Sequence, residues 1–220
     1  MSPEILEDRI MKNLAVFSLP AVVRYDEELL RRYLFDAVHK VEGKDFSHCQ
    51  IPFEGNASQF IMDLYKSRMG AYPSIDKVEK ICKKFTKRVK KYFIDEDDSF
   101  EVRPGVQSLF GQIERKKDWK YCIISDYWAE PTHLMLQSCG IFSKNKLTIT
   151  ADDALTRVDQ LKIAHKRVSK NHKKKLKIFW VDNHYQLDAS DWAITLKPKA
   201  SSESNYFTYP RFTEFFKTKS

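Results

Sequence analysis

Short apolar runs alternate with stretches of helical periodicity along most of the chain. Residues 14–17 form a compact apolar run that is typical of a buried parallel strand. Four later runs predict further strands, at residues 121–124, 147–150, 178–181 and 192–196. Helices are predicted at residues 3–11, 106–113, 131–139 and 159–168. This alternation predicts an α/β fold, with a Rossmann-like parallel sheet and helices on both of its faces.

A second pattern occupies the segment directly after the first strand. From about residue 26 to about residue 93, apolar residues recur at helical spacing in three separate runs. The acidic segment 95–99 then predicts a linker, and the segment 103–106 opens the next helix of the core. We therefore expect a core domain of residues 1–24 and 99–220, with an all-helical cap domain of residues 25–98 inserted into it.

Composition limits the class of protein. With 220 residues, of which 42% are hydrophobic and 13% aromatic, the chain is expected to be globular with a substantial core. No apolar run approaches the roughly 18 residues that span a bilayer, and the charged first residues lack the apolar region of a signal peptide. We therefore expect a cytoplasmic protein without membrane contact. The cysteines are scattered and indicate neither a disulfide framework nor a zinc site.

The charge distribution suggests an anionic partner. The formal net charge is +8, and lysines are concentrated in residues 83–91 and 173–175. The first run lies on an amphipathic helix, so it is also compatible with a solvated helix face. No recognised aromatic and basic motif of a nucleic-acid-binding domain accompanies either run.

Candidate chemistry follows three of the predicted strands. Parallel sheets with helices on both faces place their sites at the carboxyl ends of the strands. Residues 18–22 follow the first strand, Ser125 and Asp126 follow the second, and Asp182 and Asn183 follow the fourth. We expect these residues to share one edge of the sheet.

The order of these segments resembles the haloacid dehalogenase superfamily, in its phosphatase type with a helical cap inserted after the first strand. The first motif of that family reads roughly Phe-Asp-x-Asp-Gly-Thr-Leu-Val-Asp-Ser-Glu, and residues 17–27 align with it without gaps. Phe17 and Glu27 match the motif. Gly55 lies where the family enters its cap, and Gly105 lies in a segment similar to the helix that follows the cap. The resemblance extends over residues 14–196.

This resemblance also implies a defect at the catalytic positions. In the family, the first aspartate attacks phosphorus, and the second protonates the leaving group and later activates water. The first carboxylate and the backbone carbonyl of the second position also help to hold magnesium. These two positions are Ser18 and Pro20 here. A serine hydroxyl without an adjacent base is a poor nucleophile, and proline has no titratable group. The two residues are also compatible with an ordinary strand end followed by a loop, or with a rewired active site.

The remaining family motifs are matched more fully. Ser125 matches the second motif, and the cation of the third is Lys162 or Arg157, so all three are phosphate-binding candidates. Asp182, with Asp188 further on, matches the fourth motif in part and is a weak candidate for holding magnesium. The alternative roles are a turn cap for Ser125 and an ion pair for Asp182. Because the first-motif carboxylate is missing, we expect a low magnesium affinity.

Three hypotheses about function follow. The first is a phosphatase-like protein that has lost catalysis and acts by binding, with a phosphorylated small molecule or a protein as its partner. The second is a divalent-metal-dependent phosphomonoester hydrolase that uses magnesium and a displaced carboxylate such as Asp126 or Asp182. The third is anion or nucleic-acid binding through the lysine runs, which predicts steeply salt-dependent affinity.

Overall fold

A computed structural model describes residues 13–46, 53, 55–95, 100–141, 147–169 and 176–182, together with the backbone of 193–196, 199–200 and 207–208. Strands and helices alternate along these residues. In chain order the elements are β1 (Asn13–Ser18), α1 (Leu19–Val22), β2 (Val23–Arg24), α2 (Glu27–Glu42), α3 (Ala57–Met69), α4 (Ile75–Asp95), β3 (Glu101–Val102), α5 (Val106–Glu114), β4 (Trp119–Ile124), α6 (Ala129–Ser138), β5 (Leu147–Ile149), α7 (Arg157–Ser169), β6 (Lys177–Val181), β7 (Ala193–Leu196), β8 (Lys199–Ala200) and β9 (Phe207–Thr208).

The strand β1 lies at the centre of a five-stranded sheet with the order β5-β4-β1-β6-β7. Every neighbouring pair in this sheet is parallel. Phe17 of β1 lies level with Ile123 of β4 and Val181 of β6. The predicted parallel α/β sheet is confirmed, and β1, β4 and β6 end at the same edge of it.

Both faces of the sheet are covered, which explains why β1 is apolar at successive positions. Val16 lies in one apolar cluster with Trp180 of β6 and Leu161 of α7. Phe17 points to the opposite face, where its ring centroid lies 5.1 Å from that of Phe110 on α5. Successive residues of β1 are therefore buried alternately against the helices on one face of the sheet and those on the other.

The segment between β1 and β4 contains three long helices, as the periodicity predicts. Helix α2 begins at Asp26, whose carboxylate accepts a 2.8 Å hydrogen bond from the Leu29 amide, and ends at Gly43 with φ of 68°. Helix α4 buries Ile81, Phe85 and other residues at helical spacing. These side chains belong to the same apolar cluster as Phe17 of the sheet. The helical character of the segment is thus confirmed, while its separation as a cap domain stays a prediction.

Two short features between β1 and α5 were not predicted. Helix α1 follows β1 directly, and β2 pairs antiparallel with β3, with Val23 opposite Val102. Two-residue strands are too short to produce a periodic pattern, so the sequence carries no signal for them. The β2–β3 pair joins the two ends of the helical segment at the edge of the core.

Several predictions fall outside the described residues, namely the helix at residues 3–11, Asn183, Asp188 and the second lysine run. The predicted acidic linker is described only at Asp95, which is the last residue of α4. Within the part of the chain that the structure describes, no helix combines the length and apolar character needed to cross a membrane.

Candidate functional site

A pocket of about 170 Å³ lies beside the carboxyl ends of β1, β4 and β6. Three aromatic side chains, Tyr25, Phe53 and Tyr127, line it. The Tyr127 ring stacks on Phe85 of α4, with the ring centroids 5.3 Å apart, and its centroid lies 6.4 Å from that of Tyr25. The pocket is therefore bounded both by the sheet edge and by aromatic residues supported from the inserted helices.

Ser18 and Pro20, the two residues aligned with the aspartates of the first family motif, lie at the end of β1 and the start of α1. Ser18 is fully buried, and its hydroxyl has no hydrogen-bond partner among the described residues. It is not one of the described residues that line the pocket. Pro20 lies in the first turn of α1, where a proline is well tolerated.

The Pro20 carbonyl oxygen is engaged by a positively charged side chain. Arg103 Nε donates a hydrogen bond to this oxygen at 2.5 Å, and the Arg103 amide donates to the Val22 carbonyl at 2.9 Å. The resemblance implied that the carbonyl at the Pro20 position helps to hold magnesium. Here a guanidinium, brought close by the β2–β3 pair, contacts that carbonyl instead.

Arg157 lies at the centre of the site. As the first residue of α7, it directs Nη1 to Asp182 Oδ2 at 3.0 Å, while Nη2 donates to both carboxylate oxygens of Asp126. The guanidinium carbon also lies 5.3 Å from the centroid of the Trp180 ring. Charge-assisted hydrogen bonds of this kind are among the strongest polar contacts in proteins. Asp126, Arg157 and Asp182 together are called the ion triad below.

The ion triad is largely removed from solvent. The side chains of Arg157, Asp126 and Asp182 are 11%, 16% and 2% exposed. Burial raises the pKa of Asp126 above its ordinary value, and the Asp182 carboxylate raises it further, whereas Arg157 acts in the opposite direction. The single guanidinium of the triad is thus shared by two buried acidic groups.

The other predicted phosphate-binding residues do not reach the pocket. Ser125 is fully buried, and its hydroxyl oxygen accepts hydrogen bonds from the Tyr127 amide at 3.0 Å and from Thr132 Oγ1 at 2.7 Å. This is the turn-capping alternative. Lys162 lies on the outer side of α7, where it is 65% exposed and pairs with Asp159 at 2.9 Å. The structure therefore brings Arg157, but not Lys162, to the strand ends.

The described donor set does not fit a magnesium ion. Among the residues that the structure describes, no group of three or more His, Cys, Asp or Glu side chains is arranged to hold a metal. Asp126 and Asp182 both bind Arg157, and Pro20 offers a carbonyl that Arg103 already contacts. Magnesium requires several oxygen ligands in a nearly octahedral arrangement.

Several residues of the site were not among the predicted candidates. They include Arg103 and Tyr25, and also Glu28, Arg31, Phe53 and Tyr127, which line the pocket. Arg103 is distant in sequence from β1 and reaches Pro20 because β2 and β3 pair. Tyr25 follows β2 directly, and its only sequence signal is its place in the segment aligned with the first family motif.

Comparison with solved structures agrees with this architecture, whereas the two sequence comparisons found no match. No protein-family model and no curated protein sequence matches the chain. Among solved structures, CbbY from Rhodobacter sphaeroides in complex with phosphate is similar with a TM-score of 0.58 and 12% identity, over 91% of this chain and 93% of that chain. A hydrolase from Pseudomonas syringae has a TM-score of 0.57 and 12% identity, over 78% and 76%.

This chain has a haloacid dehalogenase-like fold. A phosphonoacetaldehyde hydrolase-like protein from Oleispira antarctica is also similar, with a TM-score of 0.50 and 14% identity, over 79% of this chain and 66% of that chain. The resemblance seen in the sequence is confirmed at the level of the fold. Sequence identities this low carry no information about activity, because one haloacid dehalogenase-like fold can host different sites.

Proposed function

We propose that this haloacid dehalogenase-like protein is non-catalytic and acts by binding a ligand in the pocket at the strand ends. The observation that carries the proposal is the ion triad, in which Arg157 binds both acids that a metal-dependent mechanism would need. The proposal accounts for the retained fold, the substituted first motif and the presence of a pocket.

The substitution at Ser18 is the first supporting argument. Removing the covalent nucleophile of a well-studied hydrolase lowers turnover by about a million-fold. Ser18 is buried, lacks a hydrogen-bonding partner among the described residues and does not line the pocket. An attack on phosphorus from this position would require the end of β1 to rearrange.

The ion triad is the second supporting argument. For magnesium to bind Asp126 and Asp182, it would have to displace a buried guanidinium from both. Removing one partner of a buried ion pair typically costs about 3–5 kcal/mol. A displacement on that scale would weaken magnesium binding by roughly two to four orders of magnitude.

The hydrolase hypothesis with a displaced carboxylate has less support. Its best argument is the raised pKa of Asp126, caused first by burial, since a general acid benefits from such a shift. However, Arg157 Nη2 contacts both oxygens of that carboxylate. Attack or proton transfer by Asp126 would therefore have to compete with the guanidinium for both carboxylate oxygens.

A turnover assay with metal tests the proposal. The purified protein is incubated with magnesium and a broad panel of phosphomonoesters, in parallel with the variants Asp182→Asn and Asp126→Asn. We expect phosphate release by the wild-type protein to equal that of both variants and of the protein-free buffer. Magnesium-dependent release by the wild-type protein that Asp182→Asn abolishes would overturn the proposal and favour the hydrolase.

A further inference from the structure

The charges around the pocket are not those of a phosphate site. Among the described residues that line it are four carboxylates, two from the ion triad and two from Glu27 and Glu28 in the first turn of α2. Two guanidinium groups, Arg157 and Arg31, accompany them, so the formal charge of this lining is −2. A phosphate dianion would therefore enter a region of negative potential.

The groups expected to hold a phosphate are also engaged elsewhere. Arg157 binds two carboxylates, and the Ser125 hydroxyl is buried within its own turn. Lys162 lies outside the pocket and pairs with Asp159. A phosphate in this pocket would have to compete with these internal contacts.

The aromatic walls supply a second, independent feature. Tyr25, Phe53 and Tyr127 line the same space, and aromatic faces attract organic cations through the ring quadrupole. Phosphate gains nothing comparable from such walls. Aromatic rings combined with a lining of net negative formal charge match a positively charged ligand that also carries an apolar part.

We propose that this pocket binds an organic cation, specifically an alkylammonium group whose nitrogen lies at Glu28 and whose alkyl part contacts the aromatic walls. This inference names the ligand class for the non-catalytic binding role proposed above and therefore rests on it. The volume of about 170 Å³ is adequate, because a cavity of about 150 Å³ accommodates benzene.

The electrostatics of the pocket tyrosines agree with this assignment. Burial is the largest cause that raises the pKa of Tyr25, and Tyr127, Glu27 and Asp126 raise it further in that order. The same two carboxylates add to the effect of burial on the pKa of Tyr127. The carboxylates near both phenols disfavour a phenolate and favour a cation, whereas Arg157 near Tyr25 and Arg31 near Tyr127 act in the opposite direction.

Direct binding measurements test the assignment with four probes. Amide chemical shifts and calorimetry follow the addition of n-butylammonium, Nα-acetyl-lysine amide, n-butanol and inorganic phosphate. The first two probes carry the same alkylammonium group, either as a free amine or as part of a lysine residue. Their relative affinities therefore show which of the two the pocket prefers. The neutral n-butanol is a size control without charge, and phosphate is the competing hypothesis.

Three variants locate the binding. Glu28→Gln removes one exposed carboxylate, and Tyr25→Leu removes one aromatic wall. Glu79→Gln, an exposed position on α4 that does not line the pocket, is the matched control. We expect Glu28→Gln to weaken alkylammonium binding by about two- to fivefold and Tyr25→Leu by about two- to tenfold. Glu79→Gln should leave the affinity unchanged.

The outcomes separate this inference from the proposed function. The inference is supported if either ammonium probe binds saturably and its affinity is lower for Glu28→Gln. The probe that binds more tightly then shows whether the natural ligand resembles a free amine or a lysine side chain. Three results would overturn the inference: no binding of either ammonium probe, n-butanol binding as tightly as n-butylammonium, or phosphate binding more tightly than both ammonium probes. None of these results depends on turnover, so the inference can fail while the protein remains non-catalytic.

Discussion

Replacing Arg157 by methionine tests whether the ion triad is a stabilising feature of the fold. Methionine keeps an unbranched apolar side chain, but it removes the guanidinium that lies 5.3 Å from the centroid of the Trp180 ring and is the cation for two largely buried carboxylates. Breaking a buried ion pair in this way costs about 3–5 kcal/mol. Because Asp126 keeps 16% exposure and can be partly hydrated, we expect the lower end, about 3 kcal/mol.

The loss should depend on pH in a defined direction. Without Arg157, the folded-state pKa of Asp126 rises further above the unfolded value, because burial then acts without the opposing charge of the guanidinium. A carboxyl with a raised folded pKa destabilises the fold above that pKa, and the destabilisation is relieved as the pH falls through it. The difference between Arg157→Met and the wild-type protein should therefore shrink between pH 7.5 and pH 5.

Urea unfolding at both pH values provides the measurement. The control is Arg167→Met on the same helix, where the arginine pairs with Asp153 but is 42% exposed. This control should lose at most about 1 kcal/mol, because exposed pairs contribute little. At pH 7.5 the Arg157 variant should also unfold roughly 6–12 °C lower than wild type. A loss equal to that of the control, or one that does not change with pH, would refute the role given to the triad.

Three further predictions concern other contacts. Glu42 accepts hydrogen bonds from Lys77 and from the Tyr65 hydroxyl, at 3.1 and 2.6 Å; burial raises its pKa, yet these partners lower it more. Ionised Glu42 therefore stabilises the fold at pH values above its pKa in the unfolded chain. This stabilisation is lost as the pH falls through the lower pKa that Glu42 has in the folded protein. Glu42→Gln should therefore cost about 1–3 kcal/mol at neutral pH and progressively less in urea titrations below pH 4. Arg103→Met should lower the melting temperature measured by calorimetry, since it leaves the Pro20 carbonyl without its guanidinium, while an unchanged value would argue against that contact. Replacing the exposed α4 lysines by glutamine should abolish any salt-dependent nucleic-acid retention in filter binding if the lysine-run hypothesis holds; these are Lys83, Lys84, Lys87, Lys90 and Lys91.

The fold could be predicted because each long element has its own periodicity. The apolar run around Phe17 identified the central strand, and the residues around Phe85 identified an amphipathic helix. These patterns arise from burial on both faces of a sheet or on one face of a helix, which a single sequence records directly. The short β2–β3 pair depends on two backbone segments meeting in space, and no local pattern records that meeting.

The site could be predicted only in part for the same reason. The strand ends indicated Asp126, Asp182 and Ser125 as neighbours, because parallel strands bring their carboxyl ends together. Spacing alone did not decide between Arg157 and Lys162 as the cation. In the structure, Arg157 begins α7 beside the strand ends and Lys162 lies on the exposed side of the helix, so Arg157 is the better-placed candidate. The pairing of Arg103 with Pro20 had no counterpart in the sequence pattern.

The geometry of the triad separates stability from ligand choice. A guanidinium can contact two carboxylates from different strands while lying near the Trp180 ring, an arrangement that the compact ammonium of a lysine cannot reproduce. Arg157 therefore ties α7 to β4 and β6 whatever occupies the pocket. In the cation-binding proposal, recognition depends on groups outside the triad, above all Glu28 on helix α2. Changes at Glu28 should accordingly alter affinity with little effect on unfolding, whereas changes at Arg157 should alter unfolding first.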